Sequence, residues 1–202
     1  MREHRSAMLP ECEVDEVDRA RAREYALLAT LLSHSPDAGT IGQLALLGGD
    51  ETPLGRSHAL LGKAAERASE QSAAQEYFDL FIGLGQGQLL PYASHYLTGS
   101  LYSRPLASLR QTMQHLGVER TRPSEPEDHV AILCEVMAGL IAGDIPAQPG
   151  ADRAFFETHL APWVGRFFAD LERAKPADLY ASAGSLGRAF IDIEREAYSL
   201  SA

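Results

Sequence analysis

The sequence predicts an all-α protein, an irregular helical bundle of about 9–11 helices in two lobes joined by a hinge. Three observations carry this. Apolar residues recur at i, i+3, i+4 and i+7 along most of the chain, the stripe of an amphipathic helix. Clean apolar/polar alternation, the mark of a half-buried strand, is almost absent. Prolines open the periodic segments and glycines close them, as helix ends prefer. With 202 residues, 45% of them hydrophobic, the chain can bury a sizeable core.

Residues 1–18 carry Glu11, Glu13, Asp15, Glu16 and Asp18 and no apolar run, so a solvated, flexible acidic tail is expected. From Arg19 to Ser33, Tyr25, Leu28, Ala29 and Leu32 share one helical face, and Pro36-Asp37 ends the segment. A shorter helix follows at Ile41–Leu47, stopped by Gly48-Gly49. Asp50 or Thr52 can cap the next, which has Pro53 in its first turn and runs to Ser69. Ser72 to Leu84 places Tyr77, Leu80, Phe81 and Leu84 together, before a glycine-rich loop at 83–87. A short helix over Ser94–Leu101 comes after Pro91, and Pro105 opens a helix that Gly117 closes.

Residues 118–125 are polar, aperiodic and contain Pro123, which predicts a hinge between lobes of about 19–117 and 126–202. Ser124-Glu125-Pro126-Glu127 then matches a capping box. Behind it Val130, Leu133, Cys134, Met137, Ala138 and Ile141 keep helical spacing until Gly143-Asp144. Three more helices are expected at Ala151–Leu160, Pro162–Ala174 and Pro176–Leu200. In the last, Gly184 and Gly187 mark a close helix crossing or a bend.

Acidic residues number 28 against 18 basic ones, for a formal net charge of −10. Such a balance disfavours nucleic acid and anionic membrane surfaces as partners, since both need a basic face. A cationic peptide or protein suits it better. Cys12 and Cys134 cannot build a multi-bridge framework, and Cys134, inside an apolar helical pattern, reads as a small core residue. No apolar stretch reaches the ~18 residues of a spanning helix. A cytosolic protein without stable membrane association is expected.

The chain shows little that signals catalysis. Its seven histidines include no i, i+4 pair, and no C-x-x-C exists, so no metal site is expected. Gly62-Lys63 lacks the serine or threonine and the upstream glycine of a phosphate loop. Two constellations remain. Tyr77, Leu80 and Phe81, with Pro91-Tyr92-Ala93-Ser94 ten residues later, can form a groove for an amphipathic peptide, although core packing explains such aromatics equally simply. In Glu125-Pro126-Glu127-Asp128-His129, acids in a first helical turn need no purpose beyond stabilising the helix start by roughly 0.3–1 kcal/mol. The functional alternatives there are an Asp128–His129 acid–base pair or a cation-recognition point.

Five segments nevertheless occur in a telling order: R-x-x-x-Y-x-L-L-x-x-L-L at Arg21–Leu32, E-Y-x-x-L-F at Glu76–Phe81, P-Y-x-S-x-Y-L at Pro91–Leu97, E-P-x-D-H-x-x-x-x-x-E-x-M at Glu125–Met137, and F-x-x-H-L-x-P-W at Phe156–Trp163. Together they span most of the chain, and the sequence resembles the TorD/DmsD/NarJ family of molybdoenzyme maturation chaperones. It departs from the family's pattern at Leu90, Ala93 and Leu133.

The resemblance implies an all-helical, non-enzymatic cytosolic chaperone. Its partner would be a molybdoenzyme apoprotein, bound through the twin-arginine signal peptide, the enzyme body, or both, which delays export until the molybdenum cofactor is inserted. Tyr77, Leu80, Phe81, Pro91, Tyr92 and Ser94 match positions of the family's peptide groove, and Asp128 and His129 match its hinge motif, with Glu125, Pro126 and Glu135 in support. The segments 45–55 and 96–110 look most like members serving formate dehydrogenases. No resident cofactor is implied beyond a weak guanine-nucleotide or molybdenum-cofactor interaction, and the state is a monomer or a homo-oligomer that exchanges lobes. The competing readings are a small nucleotide-binding or hydrolytic enzyme using Asp128 and His129, and a helical adaptor that ignores signal peptides.

Overall fold

Helix α1 (Glu16–Ser33) starts three residues ahead of Arg19, because the Asp15 carboxylate accepts from the Asp18 amide and caps the helix within the expected tail. The structure is a computed structural model that describes residues 15–85, 87–119 and 125–200. Tail residues 1–14, Cys12 among them, and hinge residues 120–124 lie outside the described residues. Asp37 caps α2 (Ala38–Leu44), and Thr52 caps α3 (Pro53–Arg67), with Pro53 in its first turn. Ser69 and Ser72 form a reciprocal box at the head of α4 (Glu70–Tyr77).

The helix expected over Ser72–Leu84 is broken in two. After Tyr77 the chain widens into a π-helical turn, Phe78–Ile82, closed by the Gly83 amide on the Phe78 carbonyl at 2.7 Å. The loop beyond folds back over this turn, the Leu89 amide donating to the Leu80 carbonyl. Gly87 permits the approach, since a Cβ there would lie 2.5 Å from the Leu80 carbonyl oxygen.

Next come α5 (Ala93–Thr98), α6 (Arg104–His115), α7 (Val130–Ala142) and α8 (Ala151–Phe155), followed by a second π-helical turn, Phe156–Leu160. The last two helices, α9 (Val164–Arg173) and α10 (Leu179–Leu200), begin two to three residues after the expected prolines. Ten α-helices and no strand among the described residues make the molecule the expected all-α bundle.

Helix α7 corrects the expected capping box. It starts at Val130 and its cap is His129, whose Nδ1 accepts from the Ala131 amide. Glu127 and Asp128 therefore sit in the turn before the helix, not in its first turn.

Helix α1 packs along α7, while α10 packs along α9 and α3. The segments expected to form separate lobes consequently share both cores. In the larger, Tyr25 and Leu28 of α1 and Leu109 of α6 meet Leu133 and Met137 of α7 and Phe167 and Phe168 of α9. In the smaller, Leu61 and Ala64 of α3 meet Leu179 and Leu186 of α10. Gly184 and Gly187 mark a close crossing of α10 on α9: a Cβ at Gly187 would come within 2.2 Å of the Phe168 ring. Cys134 is fully buried, and burial pushes its thiol pKa up, so it is the inert core residue expected. No described helix is long and apolar enough to cross a membrane.

One polar pair spans α1 and α3. The buried Glu24 carboxylate lies 3.0 Å from His58 Nε2, and this bond raises the His58 pKa above 6.5 against the opposing effect of burial. A raised folded-state pKa gives stability that is full below the unfolded-state value and is lost as pH rises through the folded one. The urea-midpoint difference between wild type and His58→Gln should therefore shrink from about pH 6 to about pH 9. A difference that grows or stays constant over that range contradicts this role for the pair.

Candidate functional site

Two chain segments far apart in sequence are clasped at the head of α7. Tyr92 and His129 form an isolated antiparallel bridge. The Val130 amide donates to the Pro91 carbonyl at 2.8 Å, and the Ala93 amide to the Asp128 carbonyl at 3.0 Å. Asp128 adds a third tie: its Oδ2 accepts from the Ser94 amide at 2.7 Å, capping the start of α5 from another segment. Asp128 is 1% exposed and Ser94 fully buried, and neither Asp128 Oδ1 nor Ser94 Oγ has a hydrogen-bond partner among the described residues. Glu127, also buried, takes Nε and Nη2 of Arg110 at 3.0 and 2.8 Å, tying the turn to α6.

The clasp holds an aromatic and acidic face. The Tyr92 ring meets the His129 ring edge-on at 5.2 Å between centroids, and the Tyr92 hydroxyl donates to Glu125 Oε1. Burial, then the Glu125 bond, raises the Tyr92 pKa, and Tyr102 stands near enough to add to that shift. Tyr102 itself is 71% exposed and adopts φ 57°, making it the one non-glycine among the described residues with a positive φ. A left-handed aromatic costs about 1–3 kcal/mol, and its ring is offered to solvent rather than to the core.

The predicted site residues fall into separate groups. Tyr92, Ser94, Asp128, His129, Glu125 and the buried Pro91 and Pro126 belong to the clasp. Tyr77 and Phe81 stack instead on Tyr180 of α10, with centroids 5.8 and 5.6 Å away, and the Tyr77 hydroxyl donates to the Ser33 carbonyl. Leu80 is fully buried in the core. The single groove expected from Tyr77 to Tyr92 is thus divided, because the π-turn directs Leu80 inward and Tyr180 occupies the aromatic face. Glu135 is exposed and lines a shallow groove between α1 and α7 with Ala26 and Ala138.

Sequence reasoning missed Tyr102, Arg110 and Tyr180. No local pattern marked any of the three, because their partners lie on other segments and the left-handed backbone of Tyr102 has no glycine or asparagine to announce it. Side-chain geometry also counts against the acid–base reading of the hinge motif. Asp128 and His129 both accept from backbone amides, those of Ser94 and Ala131. No group of three or more metal-ligating side chains occurs among the described residues.

The arrangement leaves Tyr92 and Glu125 half-buried at the clasp and Tyr102 exposed. The family model for the nitrate reductase delta subunit matches residues 48–169. A chaperone protein TorD from Vibrio cholerae serotype O1 is 29% identical over 161 residues, 72% of this chain and 73% of that protein. The probable Tat proofreading chaperone DmsD of Haemophilus influenzae is 25% identical over 134 residues, 65% of this chain and 64% of that one. A crystal structure of an Archaeoglobus fulgidus protein assigned to redox enzyme maturation matches with a TM-score of 0.57 at 22% identity, over 84% of this chain and 93% of that one, and supports the fold.

Fold and relatives define an all-helical chaperone. The chain belongs to the TorD/DmsD/NarJ family, whose nitrate reductase delta subunit model covers more than half of it.

Proposed function

We propose that the protein is a cytosolic, system-specific chaperone for a molybdoenzyme, of the formate dehydrogenase or wider DMSO reductase type. It binds the client's twin-arginine signal peptide, assists cofactor insertion and delays export until folding is complete. Family membership supports the chaperone role, and the relative named as a Tat proofreading chaperone supports the leader as ligand. The observation that carries the site is the clasped Tyr92–Glu125 pair, with the exposed, left-handed Tyr102 following α5 on the same segment.

The chemistry of a twin-arginine leader, two cations followed by an apolar run, matches that face. Burying a large apolar side chain contributes ~1.5–3 kcal/mol before ordering costs, whereas an exposed arginine–carboxylate pair contributes ~0.2–1 kcal/mol. Aromatic contacts therefore set most of the affinity, and Glu125 sets register and encounter rate. Asp128 is too buried to meet an arginine directly.

Titration calorimetry with the client's leader peptide tests this. Tyr92→Ala should weaken binding about tenfold or more, a loss of ~1.4 kcal/mol. Replacing both leader arginines by alanine should weaken it less and remove most of the salt dependence. Equal affinity of wild type and Tyr92→Ala would overturn the site. Failure of every candidate leader to bind would overturn the function.

A further inference from the structure

A second recognition point lies outside the clasp, in the cleft where α5, its connection to α6, and α6 itself meet the second π-turn. The cavity is about 290 Å³, close to the lower limit of small-ligand pockets. Leu97, Pro105, Leu109 and Leu133 give it apolar walls, and Arg104 stands at its edge.

Three features distinguish it. First, no carboxylate lines the cleft, although the chain as a whole carries a net charge of −10. Arg104 is exposed and makes no ion pair or side-chain hydrogen bond among the described residues, while Arg110, six residues along the same helix, is engaged by Glu127. Second, His159 on the wall is kept neutral: burial lowers its pKa, and Thr112 Oγ1 lies 2.9 Å from its Nε2. The imidazole therefore offers an uncharged surface, and Arg104 supplies the charge of the cleft. Third, Leu97, which lines the cleft, is 39% exposed and leaves apolar surface there.

We infer that this cleft takes a segment of the client's body in which a large apolar side chain is followed by an aspartate or glutamate. The side chain fills the cavity and the carboxylate pairs with Arg104. Such a segment is opposite in charge to a twin-arginine leader, so the two do not compete for one surface. Leader at the Tyr92 face and body at the α5–α6 cleft would be held together, and each would raise the effective concentration of the other. This inference rests on the chaperone reading, and its test separates the two.

The probe is the acetylated, amidated hexapeptide Ser-Gly-Leu-Phe-Glu-Gly, with Glu→Gln and Glu→Lys versions, titrated into the full chain and followed by NMR. The leader peptide is titrated in parallel. Arg104→Glu and Ser108→Trp are the test variants, since both positions are exposed and Ser108 lines the cleft. The glutamate peptide should bind at least about fivefold more tightly than the lysine one. Arg104→Glu should invert that order, and Ser108→Trp should abolish binding of both while leader affinity and helical content stay unchanged. Equal binding of the three peptides, an order that Arg104→Glu leaves intact, or no binding by any of them would overturn the inference. If the leader still binds in those cases, the chaperone reading stands without it; if the leader fails as well, both fall.

Discussion

Replacing Arg21 by alanine should cost about 3–5 kcal/mol of stability, because it strands a carboxylate that is almost wholly inside the protein. Glu194 of α10 is 1% exposed. Arg21 Nε and Nη2 donate to its two oxygens at 2.7 and 2.9 Å, a fork that matches the carboxylate plane. The rest of the guanidinium is used too: Nη1 reaches Asp18 at 2.7 Å, and Nη2 reaches the Tyr198 hydroxyl. Tyr25 donates to Glu194 from below at 3.1 Å, and Tyr198 passes the network on to Asp152 of α8 at 2.8 Å. One side chain thereby ties α1 to α10 and, through Tyr198, to α8.

Urea denaturation reads the effect. Arg21→Lys keeps the charge but loses the fork, so it should fall between wild type and Arg21→Ala. A loss below about 1 kcal/mol in Arg21→Ala would place the pair in the class of weak surface ion pairs and contradict this account.

Asp128 should behave as a positioning residue, and its two conservative variants separate that role from direct contact. Asp128→Ala leaves the buried Ser94 amide without an acceptor, at a cost of about 1–3 kcal/mol, and loosens the mount of Tyr92. Leader binding should fall with it. Asp128→Asn retains an acceptor for that amide and removes only the charge, with Oδ1 already unpartnered among the described residues of the native protein. It should stay within about 1 kcal/mol of wild type and keep most of its affinity. If Asn and Ala lose leader affinity equally while Asn keeps its stability, Asp128 acts by its charge, and the positioning role is wrong.

Much of the fold was legible because helical periodicity is a local signal. Tyr25, Leu28, Ala29 and Leu32 were picked from spacing alone, and all four are buried. The Gly184 and Gly187 crossing was legible for the same reason, since glycines within a helix need a packing partner. What spacing cannot carry is pairing across the chain. Arg21 and Glu194 are 173 residues apart, and nothing near either one announces the other. The hinge motif was misread as a helix start because S-x-x-E is a local pattern, whereas Glu127 and Asp128 answer to Arg110 and Ser94 on other segments. Tyr77, Leu80 and Phe81 were matched to a groove by family resemblance, whereas their spacing alone also fitted core packing; the π-turn at Phe78–Ile82, which spacing does not reveal, sets which face each later residue occupies.

The central claim is that the leader of a molybdoenzyme lies on the face made by Tyr92, Tyr102 and Glu125. Photo-crosslinking tests it most directly, with benzoylphenylalanine placed at position 102, and at Leu60 on α3 as an exposed apolar control. The account predicts a crosslink from position 102 to the leader of the client, lost when unlabelled leader peptide is added in excess, and none from position 60. A leader that crosslinks equally from both positions, or from position 60 alone, would contradict it.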